Sequence, residues 1–415
     1  MAKKRKGIIV QKYGGSSVAS PEKIKGVARR VAACKKKGYD VVVVVSALGD
    51  TTDELLELAS KISADPDERE LDVLMSTGEQ VSIALLAMAL HELGQDAISF
   101  TGAQVGIRTD ASHTRAKIVD VGTRRIREQL RAGRVVIVAG FQGMTPEQDI
   151  TTLGRGGSDM TAVALAKALK AGMCEIYTDV KGVYTADPRI VPAARKLNSI
   201  SYDEMLEMAS LGAQVMQARS MEVASKFNVP MHVRSSFLKE KGTLITREVK
   251  AMEDVLVRGV TVNKKEAKVT ICDVPDKPGE ASRMFEKLAK AGINIDMIIQ
   301  NISRTKTTDI SFTVDEADLK KTHSVVEKLI RQIGAKGVKY DKNIAKVSVV
   351  GVGMRSHSGV AAKMFKALAS KKININMIST SEIKISCVID KKHADTAVRA
   401  IHKSFGLGRR SVRSE

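Results

Sequence analysis

Two architectures are predicted along this 415-residue chain: an α/β domain built on a largely parallel sheet, followed by two small ferredoxin-like βαββαβ domains. Three observations predict them. Up to Thr246, β-type apolar runs alternate with helical patterns. Val41–Val45 and Val135–Ala139 are unbroken apolar runs of the kind that strands show when both faces are covered. Finally, the stretch from Pro278-Gly279 to Ile298 recurs without gaps at Ser358-Gly359 to Ile378.

Ile8–Lys12 reads as a short strand, and Pro21 to Lys37 as an amphipathic helix with proline near its start. The valine strand follows, then a helix over Ser76 to Leu93, a strand at Ala97–Thr101 and a helix from Arg115 to Ala132. After Val135–Ala139 come a helix over Ser158 to Ala171 and a strand at Cys174–Thr178. The polar segment Arg247–Asp254 marks a boundary. The predicted divisions are residues 1–246, a linker with the first strand of the second half at 247–266, and small domains at 267–340 and 341–415. The repeat supports the last two: Met284/Met364, Phe285/Phe365, Leu288/Leu368 and the Ile-Asn-Ile triplets from Ile293 and Ile373 are identical. Two copies indicate duplicated domains rather than a solenoid.

Composition narrows the function. Four scattered cysteines form no CxxC pair, which argues against a zinc site or a disulfide framework and predicts a reducing, cytoplasmic setting. The apolar stretch Val81 to Leu90 is shorter than a membrane span needs, and the basic Lys3–Lys6 start reads as a solvated tail. A net charge of +20 raises nucleic acid as a partner. The cations are scattered, however, gathering only at Lys3–Lys6 and Arg409–Arg413, and no aromatic or zinc-finger signature accompanies them. The charge therefore predicts solubility and attraction for anionic substrates rather than specific nucleic-acid recognition.

No P-loop or protein-kinase motif occurs. Three other stretches carry chemistry. Lys12-Tyr13-Gly14-Gly15-Ser16-Ser17 sits where a strand ends and a helix begins, and reads either as a phosphate cradle or as a turn with capping serines. In Thr151-Thr152-Leu153-Gly154-Arg155-Gly156-Gly157-Ser158-Asp159 an arginine stands between glycines at a helix start. An ordinary cap needs only Ser158 or Asp159, so Arg155 favours function. Tyr177 to Arg189 is a strand running into a Gly/Pro loop that could surround a nucleotide and Mg²⁺, or could simply be a long surface loop.

In combination these stretches resemble the aspartate kinases of the amino-acid kinase superfamily, over essentially the whole chain. Ser46-Ala47-Leu48-Gly49-Asp50-Thr51-Thr52-Asp53-Glu54, Thr77-Gly78-Glu79, Phe100-Thr101-Gly102, Ala139-Gly140-Phe141-Gln142-Gly143, Val229-Pro230 and Arg234-Ser235-Ser236 extend the match, and the tandem repeat resembles paired ACT domains. The resemblance implies an amino-acid kinase-like three-layer αβα sandwich followed by two ACT domains. It implies ATP-dependent phosphorylation of the L-aspartate side chain, the first step of lysine, threonine and methionine biosynthesis.

The same resemblance implies site residues. Lys12 would neutralise phosphate charge and Asp159 would organise it; Arg155 would grip the α-carboxylate and Glu79 the α-ammonium, with Ser46, Thr52 and Ser158 around the substrate. ATP would meet Lys12, Tyr13, Gly14, Gly15, Thr178, Asp179, Tyr184, Asp187, Pro188 and Arg189. Mg²⁺ would ride mainly on the ATP phosphates, with no protein metal cluster, and no histidine is needed. Lysine and threonine would act as effectors at Asp276, Gly279, Glu280, Ala281, Asn294 and Gln300, with Asn374, Ile375, Ser381 and Glu382 from the second repeat. A homo-oligomer, or a complex with a short regulatory subunit started internally at Met252, is implied as well. Gln214 stands where many relatives have lysine, so no nucleotide contact is assigned there. Another acidic amino acid as substrate, or a catalytically silent amino-acid sensor, are the competing readings.

Overall fold

A computed structural model of the chain describes residues 5–213, 215–247, 256–300 and 307–408. Gln214, Met252, Lys3, Lys4 and the Arg409–Arg413 cluster lie outside them. The described chain forms two compact units. The first holds residues up to 183, with 196–210 and 215–247; the second holds 184–195, 211–213 and the residues from 256 onward.

The first unit is organised by an eight-stranded sheet in the order Ser199–Ser201, Thr243–Thr246, Met231–Ser235, Met173–Thr178, Ile8–Tyr13, Asp40–Val45, Val135–Ala139, Ala97–Phe100. Every pairing is parallel except that between Met231–Ser235 and Thr243–Thr246. All five valines of Val41–Val45 are at 0% exposure, as a strand covered on both faces requires. Val41, Val43 and Val45 meet Ile24, Val27 and Val31 of helix Pro21–Lys36 and Ile83, Leu86 and Leu90 of helix Glu68–His91. The two-residue period turns Val42 and Val44 to the other side. Helix Gly157–Leu169, buried almost all round, packs against these strands and is itself covered by helix Ala218–Phe227. Three layers result.

Two predicted helices are corrected. Arg115 to Ala132 is not one helix: Ile118–Val121 is a strand, and only Arg124–Arg131 is helical. The strand joins Ile107–Thr109, Gln142–Met144 and Ile150–Thr152 in a second, four-stranded sheet. Gly122 divides the two elements where a Cβ would lie 2.8 Å from the Val105 carbonyl. The helix predicted from Ser76 starts earlier, at Glu68, where the Asp67 carboxylate accepts from the Arg69 and Glu70 N–H groups. Helix Thr51–Ile62, in a stretch read only as a motif, is additional. Glu68–His91 is long and apolar enough to span a membrane by length and composition. Its buried face nevertheless carries Asp72, Ser76, Glu79 and Ser82, which bond within the protein.

In the second unit the first repeat runs Glu266–Pro275, Glu280–Lys290, Ile298–Gln300, Thr307–Asp315, Leu319–Ile333, Gly337–Asp341, giving the βαββαβ order with an antiparallel four-stranded sheet. The second repeat supplies Ile344–Val350, Val360–Ala369, Met377–Thr380, Lys384–Asp390 and Ala394–Ser404. Its fourth strand is not downstream, as the repeat predicted. Gly259–Asn263 pairs with Ile344–Val350 in the place that Gly337–Asp341 takes beside Glu266–Pro275. The first repeat is thus inserted between two strands of the second repeat's sheet. Repeat-equivalent residues do the same work: Met284, Leu288, Met364 and Leu368 are all fully buried. Gly279 (φ +97) and Gly359 (φ +92) open the equivalent helices in a left-handed conformation that glycine adopts without strain.

Candidate active site and regulatory cavity

The strands Ile8–Tyr13, Asp40–Val45 and Met173–Thr178 run parallel, so their carboxyl ends open on one edge, where α/β sheets bind ligands. Lys12 is on the central strand of these three, and its Nζ lies 2.7 Å from Asp159 Oδ1. Asp159 is in the first turn of helix Gly157–Leu169, where a carboxylate is favoured by the helix dipole. Both side chains are nearly buried, so the pair feels less solvent screening than a surface ion pair. A Cβ on Gly14 would sit 3.5 Å from Lys12 Nζ, and one on Gly15 would lie 2.8 Å from the Gly49 carbonyl oxygen. The glycine turn and the loop after the valine strand are therefore in direct backbone contact. Ser17 and Ser236 share a 2.5 Å hydroxyl hydrogen bond that closes the turn's far side.

Tyr13 corrects part of the expectation. Its ring is fully buried and stacked on Tyr177, centroids 4.7 Å apart, in the core beneath helix Pro21–Lys36. Register puts the two rings side by side, so Tyr13 offers a ligand its backbone and not its side chain.

Glu79 is the buried acid of the site. Its Oε1 accepts from the Ala47 N–H at 3.1 Å, while Oε2, also buried, has no hydrogen-bond partner. Burial pushes its pKa up to about 7 against the pull of the Ala47 hydrogen bond. Gly78 permits this approach, because a Cβ there would come 2.8 Å from the Ala47 Cβ. Ser46 immediately precedes Ala47 and is anchored through its N–H to the Tyr13 carbonyl at 3.1 Å. Ser158 is buried beside Gly140, where a Cβ would meet its Oγ at 2.6 Å.

Arg155 is 87% exposed and pairs through Nη2 with Asp53 Oδ1 at 2.9 Å. Asp53 neighbours Thr52 in the first turn of helix Thr51–Ile62, so this ion pair joins two of the predicted substrate-side loops. Lys12 and Arg155 are linked through the same few residues: Asp159 bonds Lys12, and Gln217 donates its N–H to Asp159 at 3.4 Å and its side-chain amide to the Arg155 carbonyl at 2.6 Å. A linked set running from the nearly buried Lys12–Asp159 pair to the exposed Arg155–Asp53 pair thus holds two cations, two carboxylates and several backbone turns, an arrangement suited to a zwitterionic dicarboxylate beside phosphate.

Sequence reasoning passed over Gln217 and Arg219, next to Gln214. It also missed the fully buried Asp72, which accepts from the Thr114 N–H, the Thr152 hydroxyl and the His113 ring. A basic residue in a helix's first turn, against the dipole, was the available signal for Arg219.

The predicted nucleotide loop is divided. Thr178 ends a strand of the first unit and Asp179 follows it, their side chains bonded at 3.0 Å, whereas Tyr184, Asp187, Pro188 and Arg189 belong to the second. There the Arg189 guanidinium holds the Asp187 carboxyl below the usual carboxylate range.

In the first repeat a cavity of about 320 Å³ is lined by Asp276, Gly279, Glu280, Ala281 and Gln300, all predicted, and by Thr308 and Ile310, which were not. Glu280 Oε2 is buried there with no hydrogen-bond partner. Asn294, Asn374, Ile375, Ser381 and Glu382 lie outside this lining; Asn294 and Asn374 are exposed, Ile375 packs on the second repeat's core, and Ser381 and Glu382 occupy a strand–strand turn.

The sandwich, the Lys12–Asp159 pair and the duplicated small domains define an amino acid kinase with paired ACT domains. The profile of the Amino acid kinase family matches residues 7–235, and that of the ACT domain matches 273–329 and 347–405. An aspartate kinase of Pseudomonas putida is 54% identical over 96% of this chain and 98% of its own length. An aspartokinase of Corynebacterium glutamicum is 52% identical over 97% and 96% respectively. The solved structure of E. coli aspartokinase III with aspartate and ADP aligns with a TM-score of 0.84 at 26% identity, covering 96% of this chain and 99% of that one. The same protein with lysine and aspartate aligns with a TM-score of 0.72. The chain belongs to the aspartate kinase family, phosphotransferases that use a carboxyl group as acceptor.

Proposed function

We propose that this chain transfers the γ-phosphoryl group of ATP to the side-chain carboxylate of L-aspartate, giving 4-phospho-L-aspartate and ADP. The observation that carries it is Glu79, a buried carboxylate with one unpartnered oxygen, held on the Ala47 N–H in the loop that touches the Gly15 turn; a substrate ammonium is the natural partner for that oxygen. Arg155 suits the α-carboxylate, because a planar guanidinium grips carboxylates bidentately. The attacking carboxylate is ionised at neutral pH and needs no general base, so the protein's work is positioning and charge stabilisation. Lys12 supplies positive charge toward the transferring group, and Gly14, whose Cβ position lies 3.5 Å from Lys12 Nζ, leaves that ammonium uncovered. Among the described residues no cluster of three His, Cys, Asp or Glu side chains could hold a metal. Mg²⁺ is assigned to the ATP phosphates, whose charge it would offset.

The reaction would open lysine, threonine and methionine biosynthesis in the cytoplasm, and an amino acid would regulate it through the ACT domains. Glu280's unpartnered oxygen favours an ammonium-bearing effector, and the lysine complex of E. coli aspartokinase III makes lysine a first candidate, with threonine the second. Exposed Ile298 and Ile378, on edge strands of the two repeat sheets, favour assembly with a second copy or a short regulatory subunit.

Coupled ADP release with aspartate, glutamate and acetylglutamate tests the substrate. Turnover with aspartate alone is expected; none in folded protein would support a silent sensor. Lys12→Ala should lower kcat by about 10² or more, while Arg155→Ala should act mainly on the aspartate KM. Equal loss of aspartate affinity in both variants would reject these roles.

A further inference from the structure

Helix Ala218–Phe227 begins without help from acidic or capping side chains of its own. No side chain caps its N-terminus, its first turn carries no acid, and Arg219 is a cation set against the dipole. The Gln217 and Arg219 side chains reach back to the Arg155 loop instead. Arg219 donates through Nη1 to the Leu153 carbonyl at 2.9 Å and through Nη2 to the Ala116 carbonyl at 3.0 Å. Gln217 donates its side-chain amide to the Arg155 carbonyl at 2.6 Å and its N–H to Asp159 at 3.4 Å.

The turn they hold is glycine-rich and is closed by one hydrogen bond of its own, from the Gly157 N–H to the Gly154 carbonyl at 2.9 Å. Gly154 and Gly156 both take left-handed conformations, at φ +78 and +73, so the Gly154-Arg155-Gly156-Gly157 backbone is among the least restricted the chain could offer. Gly156 faces the Gln217 side chain so closely that a Cβ would come 2.9 Å from the Gln217 Cβ. The bonds to Leu153 and Arg155 bracket Gly154 from outside the turn, and the bond to Asp159 ties in the partner of Lys12.

We propose that Gln217 and Arg219 are positioning residues that clamp the Arg155 turn and thereby set the affinity for the substrate α-carboxylate. Neither is a catalytic residue, since each acts through a backbone carbonyl of the turn. The proposal rests on the aspartate reading of Arg155 given above. It predicts a selective effect: losing the clamp loosens Arg155 while the Lys12 side of the site keeps its strand and sheet support.

The test is steady-state kinetics of the full chain and of Gln217→Met, which keeps length but removes the donor. The aspartate KM should rise about tenfold, with the ATP KM changed less than about twofold. Arg219→Lys, whose ammonium lacks the fork that spans two carbonyls, should shift the aspartate KM the same way. In an Arg155→Lys background the Gln217→Met effect should largely vanish, because both changes act on one contact. An unchanged aspartate KM in folded Gln217→Met, or full additivity with Arg155→Lys, overturns the clamp. Should Arg219→Lys fail to fold, half-buried Gln217 still decides the matter. Wild-type protein without aspartate-dependent turnover would overturn the activity and the clamp together; wild-type turnover with an indifferent Gln217→Met would overturn the clamp alone.

Discussion

Glu79 shows how one residue links stability to binding. Its pKa, raised to about 7 by burial, means the folded protein prefers the neutral acid. Relative to an unfolded carboxyl near 4.5, the stability this preference gives is full at low pH and is lost as pH rises through 7. Above that pH the ionised carboxylate costs the folded protein about 3 kcal/mol, until an ammonium pairs with it. Glu79→Gln should therefore raise the melting temperature at pH 8 in aspartate-free buffer, and abolish the further rise that aspartate gives the wild type. Apparent aspartate affinity of the wild type should climb between pH 6 and 8, and the Glu79→Gln variant should lose that slope. Arg155 stood out in the sequence because it lies between glycines at a helix start, where a cation does nothing for local folding, whereas the roles expected of Lys12 and Asp159 came with the family resemblance. Tyr13 was not: the same motif contains it, and only strand register revealed that its ring faces Tyr177 rather than a ligand.

At the scale of elements, loops meeting through glycine make the site. Gly15 touches the loop after the valine strand, and a methyl group there would press on two carbonyl oxygens, 2.8 Å from Gly49 and 2.9 Å from Ala47. Backbone cannot yield as a side-chain tip would. Gly15→Ala should destabilise the first unit by about 1–3 kcal/mol and lower kcat/KM for both substrates, measurable by thermal melts and steady-state rates. Strands covered on both faces were legible from apolar runs, as with Val41–Val45. Short strands were not: Ile118–Val121 and Ile107–Thr109 have too few residues to show a period, and their pairing comes from elements distant in sequence. The failed Arg115 to Ala132 helix had one warning, Gly122 in its middle.

Across the regulatory unit, the two repeats are joined by a buried charge cluster. Lys346, 2% exposed on the second repeat's first strand, pairs with Glu266 at 2.5 Å and also with Asp296, both from the first repeat. Removing one partner of such a set leaves a carboxylate buried without its counter-charge. Lys346→Met should cost about 3–5 kcal/mol, seen as earlier melting of the second unit, and should blunt the proposed amino-acid inhibition. Lys346→Met with Glu266→Gln should recover part of the stability; a double variant as unstable as the single one would contradict this account.

Residue chemistry and periodicity, both local properties, determined the α/β order and the duplication and singled out the stretches that hold Lys12 and Arg155, while Glu79 entered only through the family resemblance. Partners were decided only by the folded chain: which strand completes the second repeat, which glutamine braces Arg155, and which unit the Tyr184–Arg195 segment joins. Pairing depends on what lies across a gap in space, and a one-dimensional pattern carries a residue's preferences without naming the neighbour that satisfies them.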